Sequence, residues 1–294
     1  MELSAFTVAC IGLGRMGAGI ARNIQSKGAR LTVYNRTPEK TAPFVAAGAT
    51  AAKTPREAAA AADFVVTTLM DDHSVLETLQ GPDGILAGMR PGAIHIGTST
   101  ISPKASVRCA ELHAAQGSHY VAAPVAGRPD AAVAGKLFTF VAGKPEIIER
   151  AWPVLGAYTQ QIVIVGEDPG SAASLKLVGN FFVAGMVELV GEAFVLAQQR
   201  GVLGPYSEMM KMWMPWMREY AERIEKRNYG NAGFTLDAGL KDVRLILDAA
   251  AEAGVHLPVG EIVRDKLLAA KARGMSDQDW CCLTEITRLE AGQK

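Results

Sequence analysis

Lys176 and Asn180 stand four residues apart in the segment GSAASLKLVGN. That spacing puts both side chains on one face of a helix. A lysine inside an apolar segment is costly unless it faces a polar cleft or pairs with a charge. Burial or a neighbouring cation lowers an ammonium pKa and makes the group a better proton donor near neutral pH. The pair therefore suits general acid/base catalysis, with Asn180 orienting the amine or binding a substrate oxygen. The competing reading is a lysine at a helix start that snorkels to solvent. Histidine is the commoner proton donor, and His73, His95, His113, His119 and His256 are available. None lies in a loop with a convincing partner, so structural or surface roles are expected for all five. No cluster has metal-ligand spacing, and no metal is expected.

A second chemical signal lies near the start, in IGLGRMGAGIARN, with glycines at Gly12, Gly14 and Gly17. On its own the pattern is equally a flexible turn. Here it follows an apolar run and opens a helix, inside a strand–helix–strand unit. Gly12 then permits a tight turn, Gly14 lets the backbone approach a pyrophosphate, and Gly17 lets helix and strand pack closely. The helix start, with Leu13, Arg15 and Met16 beside the glycines, offers N–H groups and a positive dipole end to phosphates. The end of the next strand selects the dinucleotide. An acidic side chain there would accept hydrogen bonds from the ribose hydroxyls of NAD. The chain instead has Asn35, Arg36 and Thr37, with Lys40 one turn on. A guanidinium, an amide and a hydroxyl suit a 2′-phosphate, so NADP(H) is expected over NAD(H). A solvated Arg36 is the alternative.

The elements that must position these groups change character along the chain. Residues 6–12 (FTVACIG), 30–35 (RLTVYN), 63–69 (DFVVTTL) and 93–99 (AIHIGTS) read as buried parallel strands, and HYVAAPV and LFTFVAG continue the sheet. Between them lie helices. Residues 18–27 have helical spacing ended by Gly28, TPEKTAPF has Thr37 as cap, and TPREAAAAA has Thr54 as cap with Glu57 closing a capping box. This rhythm predicts a doubly wound, parallel α/β sheet over residues 1–165. After Gly166 almost nothing reads as strand. Some thirty residues ending at Gly201 keep helical spacing and are apolar on most faces, so burial on most faces is expected. The prediction is an N-terminal Rossmann domain at 1–165 and an all-α C-terminal domain at 166–294, joined by that long helix.

Composition bounds the alternatives. The 294 residues, 49% of them hydrophobic, carry 30 basic and 30 acidic side chains, a formal net charge of zero. That balance argues against general affinity for nucleic acid or anionic membranes. Cys10, Cys109, Cys281 and Cys282 show no zinc or CxxC spacing, which reads as reduced thiols in a cytoplasmic protein. The early apolar run is interrupted by glycine and lacks a basic leader, so no signal peptide is expected, and no stretch free of glycine and charge reaches membrane-spanning length.

The chain resembles the β-hydroxyacid dehydrogenases, which include 3-hydroxyisobutyrate dehydrogenases and glyoxylate or succinic semialdehyde reductases. The resemblance runs through GLGRMG, TSTISP, APVAG, GSAASLKLVGN and FTLDAGLKDVRL, in the family's order and spacing. It implies that Leu69, Met70 and Thr100 border the cofactor and that Ser99 and Thr100 lie between nicotinamide and substrate. It also implies that Ala126, Gly127 and Arg128 form the substrate loop and that Lys176 is the general acid/base with Asn180 its partner. Lys241 and Asp242 would approach cofactor and active site. The family further implies a cleft between two domains, a small carbonyl or hydroxy-acid substrate, and a homodimer or homotetramer, with no nucleic-acid or membrane partner.

Two departures bear on the substrate. In the loop, alanines stand where relatives carry Asp and Ser (Ala126 for the Ser), with Arg128 and Pro129 after Gly127. Backbone N–H groups near Gly127 could still hold an anion. After the fourth strand the chain reads Leu69, Met70, Asp71, Asp72 where relatives often have Leu-Pro. The stretch SEMMKMWMPWM at 207–217 suits helical core or a subunit interface, or else the wall of a pocket for a bulkier substrate. Three readings follow: a carbonyl reductase/hydroxyacid dehydrogenase, an imine reductase-like enzyme, or a non-enzymatic NADP-binding module. Lys176 counts against the second. The lysine pairs with Asn180 and Asp242 count against the third.

Overall fold

A computed structural model describes residues 2–293. The chain forms two compact units, one ending at Lys176 and the other beginning at Leu177. The first unit runs β1 (Thr7–Ile11), α1 (Arg15–Ser26), β2 (Arg30–Tyr34), α2 (Ala42–Ala46), β3 (Thr50–Ala51), α3 (Pro55–Ala59), β4 (Phe64–Thr67), α4 (Asp72–Leu79), α5 (Ile85–Gly88) and β5 (Ile94–Gly97). It continues through α6 (Pro103–Ala115), β6 (His119–Ala122), β7 (Val125–Ala126), α7 (Pro129–Val133), β8 (Leu137–Ala142), α8 (Pro145–Tyr158) and β9 (Thr159–Gly166) into α9 (Pro169–Gln199).

The sheet order is β3-β2-β1-β4-β5-β6-β8-β7, with β9 paired to β8. Pairs from β3 through β6 are parallel, β8 runs antiparallel to β6 and β7, and β9 runs parallel to β8. Chain order reverses between β1 and β4, and in a doubly wound sheet the ligand crevice opens at such a reversal, outside the carboxyl ends of the strands. Residues of β1 alternate between two cores: Val8 and Cys10 pack with Ile20, Ile24 and Phe64 on one side, and Ala9 and Ile11 with Ala58, Val65 and Leu79 on the other. Burial on both faces explains why these strands are uniformly apolar.

Three local readings are refined. Thr54 caps α3 by accepting the Glu57 N–H at 3.0 Å, but the Glu57 carboxylate takes the Lys53 N–H at 2.7 Å, one residue outside a reciprocal capping box. Thr37 makes no side-chain cap, because Pro38–Thr41 forms a 3-10 turn and the Thr37 carbonyl accepts from Asn35 instead. Strand β9 was not anticipated. It follows α8 without an intervening turn, and none of its eight residues is buried.

The second unit holds the rest of α9, then α10 (Leu203–Trp213), α11 (Arg218–Glu225), α12 (Leu236–Glu252), α13 (Pro258–Lys271) and α14 (Thr284–Glu290). Its core joins Ala184, Val187, Val190 and Phe194 of α9 to Leu240 and Val243 of α12, Leu267 of α13 and the 280–283 turn. By length and mean hydropathy α9 could cross a bilayer. It carries Lys176, Glu188 and Glu192, and its buried side feeds this core. The expectation that α9 is buried on most faces is corrected: Val178, Phe182, Leu189 and Leu196 are 58–64% exposed. Their spacings of four and seven residues align them on one face, which stays largely exposed although Trp216 stacks on Phe182.

Candidate active site

The glycine turn has a physical reason at each position. Gly12 has φ +92°, and a Cβ there would collide with the Thr68 carbonyl oxygen. A Cβ at Gly17 would collide with the Gly12 carbonyl oxygen, so helix and strand could not close. Gly14 differs. Its φ is −70°, it is exposed, and a Cβ would meet nothing within 4 Å. The protein's own packing gives no reason for glycine there, whereas a pyrophosphate approaching the backbone does. Helix α1 starts at this point with no side-chain cap and no acidic residue in its first turn, leaving its positive end uncompensated by side chains. These features fit a dinucleotide.

Asn35, expected to face a phosphate, has both polar ends engaged. Its Oδ1 accepts the Leu13 N–H at 2.8 Å and its Nδ2 donates to the Thr37 carbonyl at 2.9 Å. It ties the glycine turn to the end of β2. Arg36, Thr37 and Lys40, expected to meet a 2′-phosphate, are exposed after it.

The loops after β4 and β5 are stitched together. Thr68 and Thr98 share a hydroxyl hydrogen bond at 2.9 Å, and Leu69 donates its N–H to Ser99 Oγ at 2.7 Å. The Asp72 carboxylate accepts the Ser102 N–H at 2.8 Å and its hydroxyl at 2.5 Å. Asp71 caps α4 and Ser102 caps α6. The two aspartates that depart from the family pattern are thus structural. Met70 stays exposed and Thr100 half-buried at the mouth of this seam.

In the loop between β7 and α7, expected to bind substrate, Gly127 has φ +140° and Arg128 is half-buried, its backbone starting α7. Ala126 is half-buried.

Lys176 is buried, the last residue of the first unit, and Asn180 follows one turn later on α9. In the second unit Asn180 Nδ2 donates to Asp242 Oδ2 at 2.6 Å, and the Lys241 ammonium pairs with Asp242 Oδ1 at 2.5 Å. Asp242 is 2% exposed. The sequence gives Lys176–Asn180 and Lys241–Asp242 as separate pairs 62 residues apart, and only the folded unit joins them through Asp242.

Two further readings change. His95 and His113, read as lacking partners, are each other's partners, with Nδ1 of His95 2.9 Å from Nε2 of His113. They are 18 residues apart on separate elements, so nothing in the local pattern signals the contact. The 207–217 stretch divides: Met210 and Met217 are buried, but Met212, Trp213 and Trp216 are 73%, 72% and 53% exposed. Trp216 stacks on Phe182 at 6.0 Å, on the face of α9 opposite Asn180.

Fold and turn together define a dinucleotide-binding protein. Residues 7–166 match the NAD-binding domain of 6-phosphogluconate dehydrogenase, and residues 170–286 match the NAD-binding domain of NADP-dependent 3-hydroxyisobutyrate dehydrogenase. The chain is 40% identical over 284 residues to the uncharacterized oxidoreductase YfjR of Bacillus subtilis, covering 96% of this chain and 99% of that one. It is 30% identical to the 3-sulfolactaldehyde reductase of Escherichia coli, covering 97% of each. The crystal structure of 3-hydroxyisobutyrate dehydrogenase from Salmonella typhimurium superposes with a TM-score of 0.87 at 25% identity, covering 96% of this chain and 99% of that one. The chain belongs to the β-hydroxyacid dehydrogenase family.

Proposed function

We propose that the protein is an NADP(H)-dependent reductase that interconverts a small aldehyde or keto acid and its hydroxy acid, with Lys176 as general acid/base. The observation that supports this most is a buried lysine one helical turn from an asparagine held by a buried carboxylate. The nicotinamide supplies the hydride in one direction and accepts it in the other. The Lys176 ammonium donates a proton to the carbonyl oxygen as the new C–H bond forms, and takes it back from the hydroxyl in reverse. Asp242 only accepts hydrogen bonds, so it holds the Nδ2 side of Asn180 and turns Oδ1 the other way, toward an ammonium or hydroxyl donor.

Gly12, Leu13, Gly14, Arg15, Met16 and Gly17 hold the pyrophosphate. Arg36 and Thr37 take the 2′-phosphate, with Asn35 fixing their loop. Leu69, Met70, Thr100 and Lys241 border the cofactor, and Ser99 fixes the loop that carries Leu69. The N–H groups of Ala126 and Gly127, with the Arg128 guanidinium, anchor an anionic substrate group, so the missing serine hydroxyl is replaced by charge. Asp242 completes the substrate side through Asn180. A small acidic aldehyde such as the 3-sulfolactaldehyde of the Escherichia coli relative's name fits that anchor. The exposed stripe of α9, extended by Trp216, is where a second copy packs in a homodimer, itself able to pair into a tetramer.

The test is NADPH and NADH oxidation with 3-sulfolactaldehyde, glyoxylate, succinic semialdehyde and a cyclic imine. Turnover of an acidic aldehyde with NADPH preferred is expected. Turnover of the imine alone would make the protein an imine reductase. Tight NADPH binding with no turnover would make it a binding module.

A further inference from the structure

Beneath the cofactor edge, four buried groups form a chain: Thr67 Oγ1 to His95 Nε2 at 2.8 Å, His95 Nδ1 to His113 Nε2 at 2.9 Å, and His113 Nδ1 to Ser118 Oγ at 2.8 Å. Thr67, His95, His113 and Ser118 are at most 3% exposed. Tyr120 walls in both rings, edge-on to His95 at 5.2 Å and stacked on His113 at 5.9 Å. Burial, reinforced by the neighbouring imidazole, keeps His95 neutral, and burial keeps His113 neutral down to about 3.

A neutral imidazole has one N–H and one acceptor nitrogen, so donor counting fixes the tautomers. In one direction Thr67 donates to His95, His95 Nδ1–H to His113, and His113 Nδ1–H to Ser118. The Ser118 hydroxyl then has its own acceptor, the His113 carbonyl at 3.3 Å. Every proton is used. In the opposite direction the Thr67 hydroxyl proton must find another acceptor, and among the described residues His95 is the partner of that oxygen. The buried core favours the first arrangement, since an unpaired buried donor is costly.

The chain ends where the cofactor loops begin. The Thr67 carbonyl holds Thr98 twice, through its N–H at 3.0 Å and its hydroxyl at 2.8 Å. The next residue, Thr68, packs its carbonyl against Gly12 and its Cβ against Gly17. We propose that His95 and His113 are positioning residues, a proton-ordered strut that ties Thr67 at the end of β4 to β5 and α6 and so fixes Thr68 against the dinucleotide turn. This rests on the glycine turn being the dinucleotide site.

The experiment compares His95→Gln with His95→Leu, reading NADPH and NADH affinity by fluorescence alongside melting temperature. The glutamine amide can still accept from Thr67, and leucine cannot. The strut predicts that Gln stays close to wild type while Leu loses about tenfold in affinity, the worth of one buried hydrogen bond, whatever its melting temperature. If His95 only fills space, Leu will bind as tightly as Gln, and the proposal fails. The 15N imidazole spectrum of the wild-type protein adds a readout independent of any variant's folding: two Nδ1–H tautomers are expected, and rapid tautomer averaging would overturn the ordered chain. Wild-type protein that binds neither dinucleotide would instead overturn the reading of the turn.

Discussion

At the residue scale, the glycine turn separates what the fold needs from what a ligand needs. Gly12 and Gly17 are forced by contacts inside the protein, whereas Gly14 faces open space at an ordinary φ. Gly14→Ala should therefore leave the melting temperature unchanged or slightly raised, because alanine restricts the unfolded chain. The same change should weaken dinucleotide binding by well over an order of magnitude, because the methyl group occupies the phosphate's approach. Calorimetric melting and a cofactor titration on one sample check both halves. Arg36→Ala addresses selectivity. Loss of a charge-assisted bond of about 1.5–3 kcal/mol should weaken NADPH by roughly ten- to a hundredfold and leave NADH nearly unaffected. Equal weakening of the two would remove Arg36 from the 2′-phosphate site.

At the element scale, α9 carries a polar group in its core that catalysis does not use. Glu188 is buried, 3.8 Å from the Lys266 ammonium of α13, and Lys266 in turn pairs with Glu290 at 2.6 Å and donates to Thr287 at 2.9 Å. Burial raises the Glu188 carboxyl to about 7 against the pull of Lys266, with Glu192 and Glu290 adding to the rise. A carboxyl that keeps its proton longer when folded contributes stability that is present below its ordinary value of 4.5 and is lost as pH rises toward 7. The wild-type protein should therefore be less stable at pH 8 than at pH 5.5 relative to Glu188→Gln, whose neutral amide does not ionise. Melting curves of the pair at the two pH values test this, and parallel pH dependence would contradict it.

Element boundaries were legible where sequence chemistry is local. The strand–glycine–helix opening, the Thr54 cap and the rod ending at Gly201 follow from residue types within a few positions. What stayed hidden depends on partners far along the chain. Strand β9 carries a short apolar run, Ile162 to Val165, but it opens on the polar Thr159, Gln160 and Gln161 directly after a helix, and none of its side chains is buried. The Asn180–Asp242 bond, the His95–His113 pair and the Asp72–Ser102 clamp each join residues brought together only by folding. Asn35 shows the opposite failure. It lies beside the glycine turn, but its amide serves the backbone there.

At the scale of the whole molecule, the proposed assembly rests on the apolar face of α9. Val178, Phe182, Leu189 and Leu196 are exposed and aligned, and in the proposed homodimer they form the packing face. Leu189→Glu should convert the wild-type oligomer to monomer in size-exclusion chromatography with light scattering, and a monomeric wild type would contradict the assignment. Activity depends in turn on the proton that accompanies each hydride. The most direct test is single-turnover hydride transfer from saturating NADPH in Lys176→Ala. Loss of roughly 10²–10⁴-fold in rate with NADPH affinity unchanged is the predicted result, the usual worth of a positioned proton donor. A variant that transfers hydride at the wild-type rate would contradict the role given to Lys176.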